Sequence, residues 1–131
     1  MRRRLGTTVL LTLAALASWS CESGPVAGEL TVSLVTPNSD DGAILVRVIA
    51  SAPMEVTNAV VACGNCRLFK EQPSPTELRA VVTGDLVAGP LLRVSVTDTK
   101  TPSSYTVQIQ QVASRTFQVR ATTGYSLTVG Q

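Results

Sequence analysis

The chain contains no histidine. This removes the commonest general base, the usual base of a nucleophilic triad and the commonest transition-metal ligand. Aromatic residues are nearly as scarce, with one Trp, two Tyr and two Phe in 131 residues. The single Trp, Trp19, falls in the N-terminal segment, so the remainder lacks the Trp platforms that sugar binders use; a carbohydrate ligand is disfavoured. Basic residues form no run beyond Arg2, Arg3 and Arg4, so nothing suggests the phosphate contacts of a nucleic-acid binder. There is no Gly-x-Ser-x-Gly elbow, no phosphate-cradling glycine loop and no Ser-x-x-Lys, and with them go the commonest local signatures of catalysis. The expected reading is therefore not an enzyme, with no cofactor and no metal.

What is present begins with an export signal over residues 1–20. Arg2, Arg3 and Arg4 make a positive start, and Leu5 to Ala17 is an apolar stretch of 13 residues. That is short of the ~20 residues a membrane-spanning helix needs. No later apolar run approaches it. The full chain carries 11 basic and 9 acidic residues, and without the three arginines of the signal 8 basic face 9 acidic. The remaining 111 residues, from Cys21 to Gln131, suffice for one domain with one core.

Two processing routes compete. Ala15-Leu16-Ala17 is an A-x-A site whose cleavage would release a soluble secreted protein. Leu16-Ala17-Ser18-Trp19-Ser20-Cys21 resembles a bacterial lipobox, with departures at Ser18 and Trp19. The cysteine count favours the second route. Acylation of Cys21 leaves Cys63 and Cys66 as an even pair. The expectation is a lipid anchor on Cys21, a flexible tether over residues 21–28 and a domain over 29–131. The protein would then sit on a membrane of the cell envelope, at the outer membrane or the cell surface.

That domain reads as strand after strand. Leu30, Val32 and Leu34 alternate with polar residues, as do Leu78, Ala80 and Val82, then Leu92, Val94 and Val96, then Tyr105, Val107 and Ile109. Ile44, Val46 and Val48 form a further set. Period-two alternation puts one row on a core face, and short strands at this spacing predict an all-β fold, a single β-sandwich. Val56 to Ala62, Arg67 to Lys70, Arg115 to Arg120 and Tyr125 to Val129 are shorter strand candidates. Turns are expected at Pro37 to Gly42, Thr83-Gly84-Asp85 and Gly89-Pro90, and a Pro-rich loop at Glu71 to Thr76. Tyr105 and Tyr125 are expected on core faces.

Four phrases in order carry a resemblance: LTVSLVTPNSDDGA from Leu30, VTGDLVAGPLL from Val82, YTVQIQQVA from Tyr105 and YSLTV from Tyr125. The arrangement resembles a group of small bacterial lipoproteins. More remotely it is similar to the cohesin-like and immunoglobulin-like sandwiches of secreted proteins. The resemblance implies the fold and the exported location, and it brings no catalytic residue with it.

Cys63-Gly64-Asn65-Cys66 is the sharpest local motif. A redox role needs a thiolate at a helix N-terminus, and both flanks here are strand-like. Two thiolates make half a zinc shell, with no further Cys or His to complete it. The expected state is a local disulfide across a Gly64-Asn65 hairpin turn, favoured by an oxidising exterior. Asn38, Asp40 and Asp41 lack the alternate-ligand spacing of an EF-hand and read as a turn. The carboxylates Glu55, Glu71, Glu77, Asp85 and Asp98 lie at expected strand ends or loops with no supporting motif. The expected function is a non-catalytic binding or structural module of the envelope with a protein partner. The alternatives are a soluble secreted sandwich, or a small thiol-redox or metal-handling protein using Cys63 and Cys66.

Overall fold

The computed structural model describes residues 24–131. Its strands are β1 (Gly28–Val35), β2 (Asp41–Ala50), β3 (Val56–Val61), β4 (Cys66–Ser74), β5 (Glu77–Leu86), β6 (Gly89–Val96), β7 (Tyr105–Ser114), β8 (Val119–Arg120) and β9 (Ser126–Gly130). They form two antiparallel sheets, a four-stranded one ordered β3-β6-β1-β9 and a five-stranded one ordered β4-β5-β2-β7-β8. This is the expected β-sandwich. The chain changes sheet at most connections, and only β4–β5 and β7–β8 are hairpins.

The alternating rows meet between the sheets. Leu30, Val32 and Leu34 of β1 and Leu92, Val94 and Val96 of β6 face Ile44, Val46 and Val48 of β2 and Leu78, Ala80 and Val82 of β5, all buried. Small β-branched and aliphatic side chains fill this layer without help from large aromatics. Tyr105 is the exception and has a polar task as well. Its hydroxyl donates to the Asp98 carbonyl at 2.8 Å and accepts the Asp98 N–H at 3.1 Å. A tyrosine at a strand start thereby pins the backbone seven residues upstream, as in the tyrosine corner of other sandwiches.

Several expectations are corrected where the ladder is irregular. Glu71 to Ser74 continues β4 and is not a loop. Pro73 is tolerated because β4 is an edge strand and the register slips between Glu71 and Ser74. Thr83-Gly84-Asp85 is no turn either, since β5 runs through it to Leu86. Gly89 and Pro90 begin β6, and Leu91 is an extra residue, so Leu91 and Leu92 are buried in succession. Arg115 to Gln118 is a tight turn, which leaves only Val119 and Arg120 as a strand. The expected hairpin at Gly64-Asn65 does not exist. β3 belongs to one sheet and β4 to the other, so the turn is a corner between sheets.

Candidate functional site

β1 gives the sandwich two ends. Its first residue, Gly28, adjoins Val96 and the β6–β7 corner. Its last, Val35, lies beside the start of β9. Eight strand residues separate these ends by about 25 Å.

The chain enters at the first end and is fastened there. Val26 N–H donates to Asp98 Oδ1 at 3.2 Å, and Val26 O accepts from Thr99 N at 2.8 Å and Thr99 Oγ1 at 3.2 Å. Lys100 Nζ donates to Gly24 O at 2.8 Å. Asp98, one of the loop carboxylates noted in the sequence, is buried here as a backbone acceptor. The N–H groups of Lys100 and Val26 hold its carboxyl below the usual carboxylate range. The signal over residues 1–20 and Cys21 lie outside the described residues.

The opposite end carries a polar network built around Asp41, the first residue of β2, which is fully buried. Its Oδ1 accepts from Tyr125 Oη at 2.7 Å and Arg120 Nη1 at 3.0 Å, and its Oδ2 from Thr36 Oγ1 at 2.5 Å. Asn38 Nδ2 donates to the Tyr125 hydroxyl at 2.7 Å. Arg120 also grips Asp40 with both Nη atoms, at 2.6 and 2.7 Å. That fork holds the Asp40 carboxyl below its ordinary range and raises the guanidinium above its own. The network ties β8 and β2 of one sheet to the residue before β9 of the other. Its carboxylate oxygens are committed to a guanidinium and hydroxyls, so Asn38 and Asp40 form a braced turn that ends at Asp41. The turn expected to run through Gly42 is shorter, because Asp41 and Gly42 already belong to β2. Tyr125 is correspondingly half-buried, with its ring packed against the core and its hydroxyl in the network.

The same end holds the disulfide. Cys63 and Cys66 are bonded, with their Cα atoms 5.6 Å apart. The bridge closes the corner where β3 hands over to β4. Closing a four-residue loop contributes at most about 2 kcal/mol through the unfolded chain.

Beside it stands the β7–β8 turn. Arg115 N–H donates to Asp40 O at 2.9 Å, and Arg115 Nε meets Asp85 Oδ1 at 3.1 Å. Ser114 binds the turn at three points. Its N–H donates to Gln118 O at 2.9 Å, its O accepts from Phe117 N at 3.0 Å, and its Oγ accepts from Gln118 N at 3.2 Å. Within this frame Phe117 has φ of +65° and a side chain that is 92% exposed. Val87, in the β5–β6 turn at the same end, is 57% exposed. A depression of about 350 Å³ lies beside Phe117, walled by Gly42, Thr83, Gly84, Asp85 and Ala113.

The other carboxylates noted in the sequence are not brought together. Glu77 pairs with Arg47 at 2.6 Å and Arg79 at 3.0 Å on the outer face of the five-stranded sheet, and Arg47 holds its carboxyl below the usual range. Asp85 pairs with Arg115. Among the described residues no group of three or more Cys, Asp or Glu could hold a metal ion, and no helix is long and apolar enough to cross a membrane. The sequence offered no sign of Phe117, because Thr116-Phe117-Gln118 reads as strand. No protein-family model, curated protein or solved structure matches the chain.

Proposed function

We propose that this protein is a cell-envelope lipoprotein tethered through Cys21. Its sandwich is a non-catalytic binding module that contacts a protein partner through the end farthest from the tether. Phe117 carries this reading. A non-glycine residue in the left-handed region costs about 1 kcal/mol, and a large aromatic has no intrinsic reason to be there. An exposed phenyl ring also recovers no burial energy within the chain. The three-residue β7–β8 turn calls for a left-handed residue at this position, but nothing in the fold calls for a large exposed aromatic there, and that choice makes sense if the ring is buried in a partner's pocket. Arg115, Ser114 and the Asp41 network hold the turn in place, which lowers the entropy lost on binding. The tether supports the same direction. Gly24 is fastened at the opposite end, so a chain hung from a membrane by a few residues presents Phe117 and Val87 outward.

Two results check this. The first is Phe117→Asn, since Asn accepts the left-handed conformation. The variant is expected to be more stable than the parent by about 1 kcal/mol in chemical denaturation, although it loses the contact residue. A destabilised variant would mean that the ring packs within the chain, and the reading would fail. The second concerns anchoring: mass spectrometry of the processed protein is expected to find acylated Cys21 at the N-terminus. An unmodified N-terminus at Ser18 would make it a soluble secreted domain instead.

A further inference from the structure

Sheet edges invite pairing with other chains, and proteins ordinarily charge, shorten or cover them. Three of the four edges here follow that rule. β4 carries Arg67, Lys70, Glu71 and Pro73. The β3 edge is capped by side chains from β4, with Gln72 donating to Val56 O and Lys70 to Asn58 Oδ1 and Ala59 O. β9 is five residues long and ends in Gly130.

The fourth edge does not. β8 covers only Val112 and Ala113 of β7. Tyr105 to Gln111, Tyr-Thr-Val-Gln-Ile-Gln-Gln, is left with one side unpaired among the described residues, and it contains no charge, proline or glycine. The free peptide groups can be assigned. Ala50 donates its N–H to Thr76 O, toward β5, so Arg47 and Ile49 bond toward β7. Their partners there are Gln108 and Thr106. Val107 and Ile109 therefore turn their N–H and C=O groups to the open side. Beneath that edge runs a groove of about 660 Å³, lined by Val107, Ile109, Tyr125, Leu127 and neighbouring uncharged residues. Val107 and Ile109 are only half-buried against the core.

We infer that this edge pairs with the same edge of a second copy of the chain, antiparallel about a twofold axis at Gln108. The segment is complementary to itself in that register. Val107 meets Ile109 of the other copy in a hydrogen-bonded pair, and so does its symmetry mate, so four hydrogen bonds use all eight N–H and C=O groups of these residues in the two copies. The half-buried apolar rows then fall on one face and cover each other. On the opposite face Gln108 lies against Gln108, and Thr106 against Gln110, so amides and hydroxyls meet with no like charge between them. The result is a sheet continuous through both molecules, closed by the symmetry.

The test places charge on the axis. Gln108 is exposed and points away from the core, so Gln108→Lys and Gln108→Glu are expected to fold with unchanged circular dichroism and melting. In sedimentation, the purified protein in its naturally processed form is expected to show a concentration-dependent monomer–dimer equilibrium. Each variant alone weakens dimerisation by about fivefold or more, because like charges then sit directly opposite. An equimolar mixture of the two restores dimers at the parental concentration. A parent that stays monomeric at millimolar concentration overturns the inference. So does a variant that dimerises like the parent, or a mixture that shows no recovery.

Discussion

Gly84→Ala is expected to destabilise the domain by about 3 kcal/mol, more than the loss of the disulfide next to it. Gly84 has φ of +138°, a region almost reserved for glycine. A Cβ built there would stand 2.3 Å from the Asn65 carbonyl oxygen and 3.1 Å from the Cys66 Cα. Both obstacles are backbone, and they belong to the corner that the Cys63–Cys66 bridge closes. The corner has little freedom to retreat, so strain and collision add. Combining Gly84→Ala with Cys63→Ser and Cys66→Ser should cost less than the sum of the separate effects, because the opened corner can move. Urea denaturation of the four proteins measures this. A cost below about 1 kcal/mol for Gly84→Ala alone would mean that the corner does not press on β5.

Asp41→Ala should likewise cost about 3 kcal/mol. The loss is not that of one ion pair. Asp41 is the shared acceptor of Arg120, Tyr125 and Thr36, and its removal leaves two hydroxyls and part of a guanidinium without their partner inside the sandwich end. Tyr125→Phe removes one donor and leaves the carboxylate with the other two, so about 1 kcal/mol is expected. Asp85→Ala breaks a pair that is exposed on both sides, and its effect should be close to zero. This ranking is the check. Equal effects of Asp41→Ala and Asp85→Ala would show that the buried network does not hold the sheets together.

The rows of Leu30 to Leu34, Ile44 to Val48, Leu78 to Val82 and Leu92 to Val96 were legible because a half-buried strand imposes a period of two on its sequence. The fold class follows from those rows. Legibility failed where pairing depends on a neighbour far along the chain. Gly84 looks like a turn residue in isolation, and only the approach of Asn65 explains why glycine sits inside a strand. Gly64-Asn65 has the composition of a hairpin turn, but strand partners decide whether a turn joins neighbours or crosses between sheets. Gln110 is the extra residue of a bulge between β7 and β2, and the alternation of Val107 and Ile109 changes phase there before Val112.

The candidate site was less visible still. Asp40 was read correctly as a turn residue, whereas Asp41 and Gly42 already belong to β2 and Asp41 is buried. Arg120, 80 positions from Asp40, gave no sign of being their partner. Phe117 was hidden for a simpler reason. Periodicity reports which side chains a chain buries in itself, whereas Phe117 is distinguished by burying nothing.

The most direct measurement places a photo-crosslinking phenylalanine analogue at position 117 of the full chain in its native cells. A control carries the analogue at Glu29, exposed on β1 near the end where Gly24 is held. Illumination should give a discrete adduct with one envelope protein from position 117 and none from position 29. No adduct at position 117, or the same adduct from both positions, would contradict a partner bound at the end of the sandwich farthest from the tether.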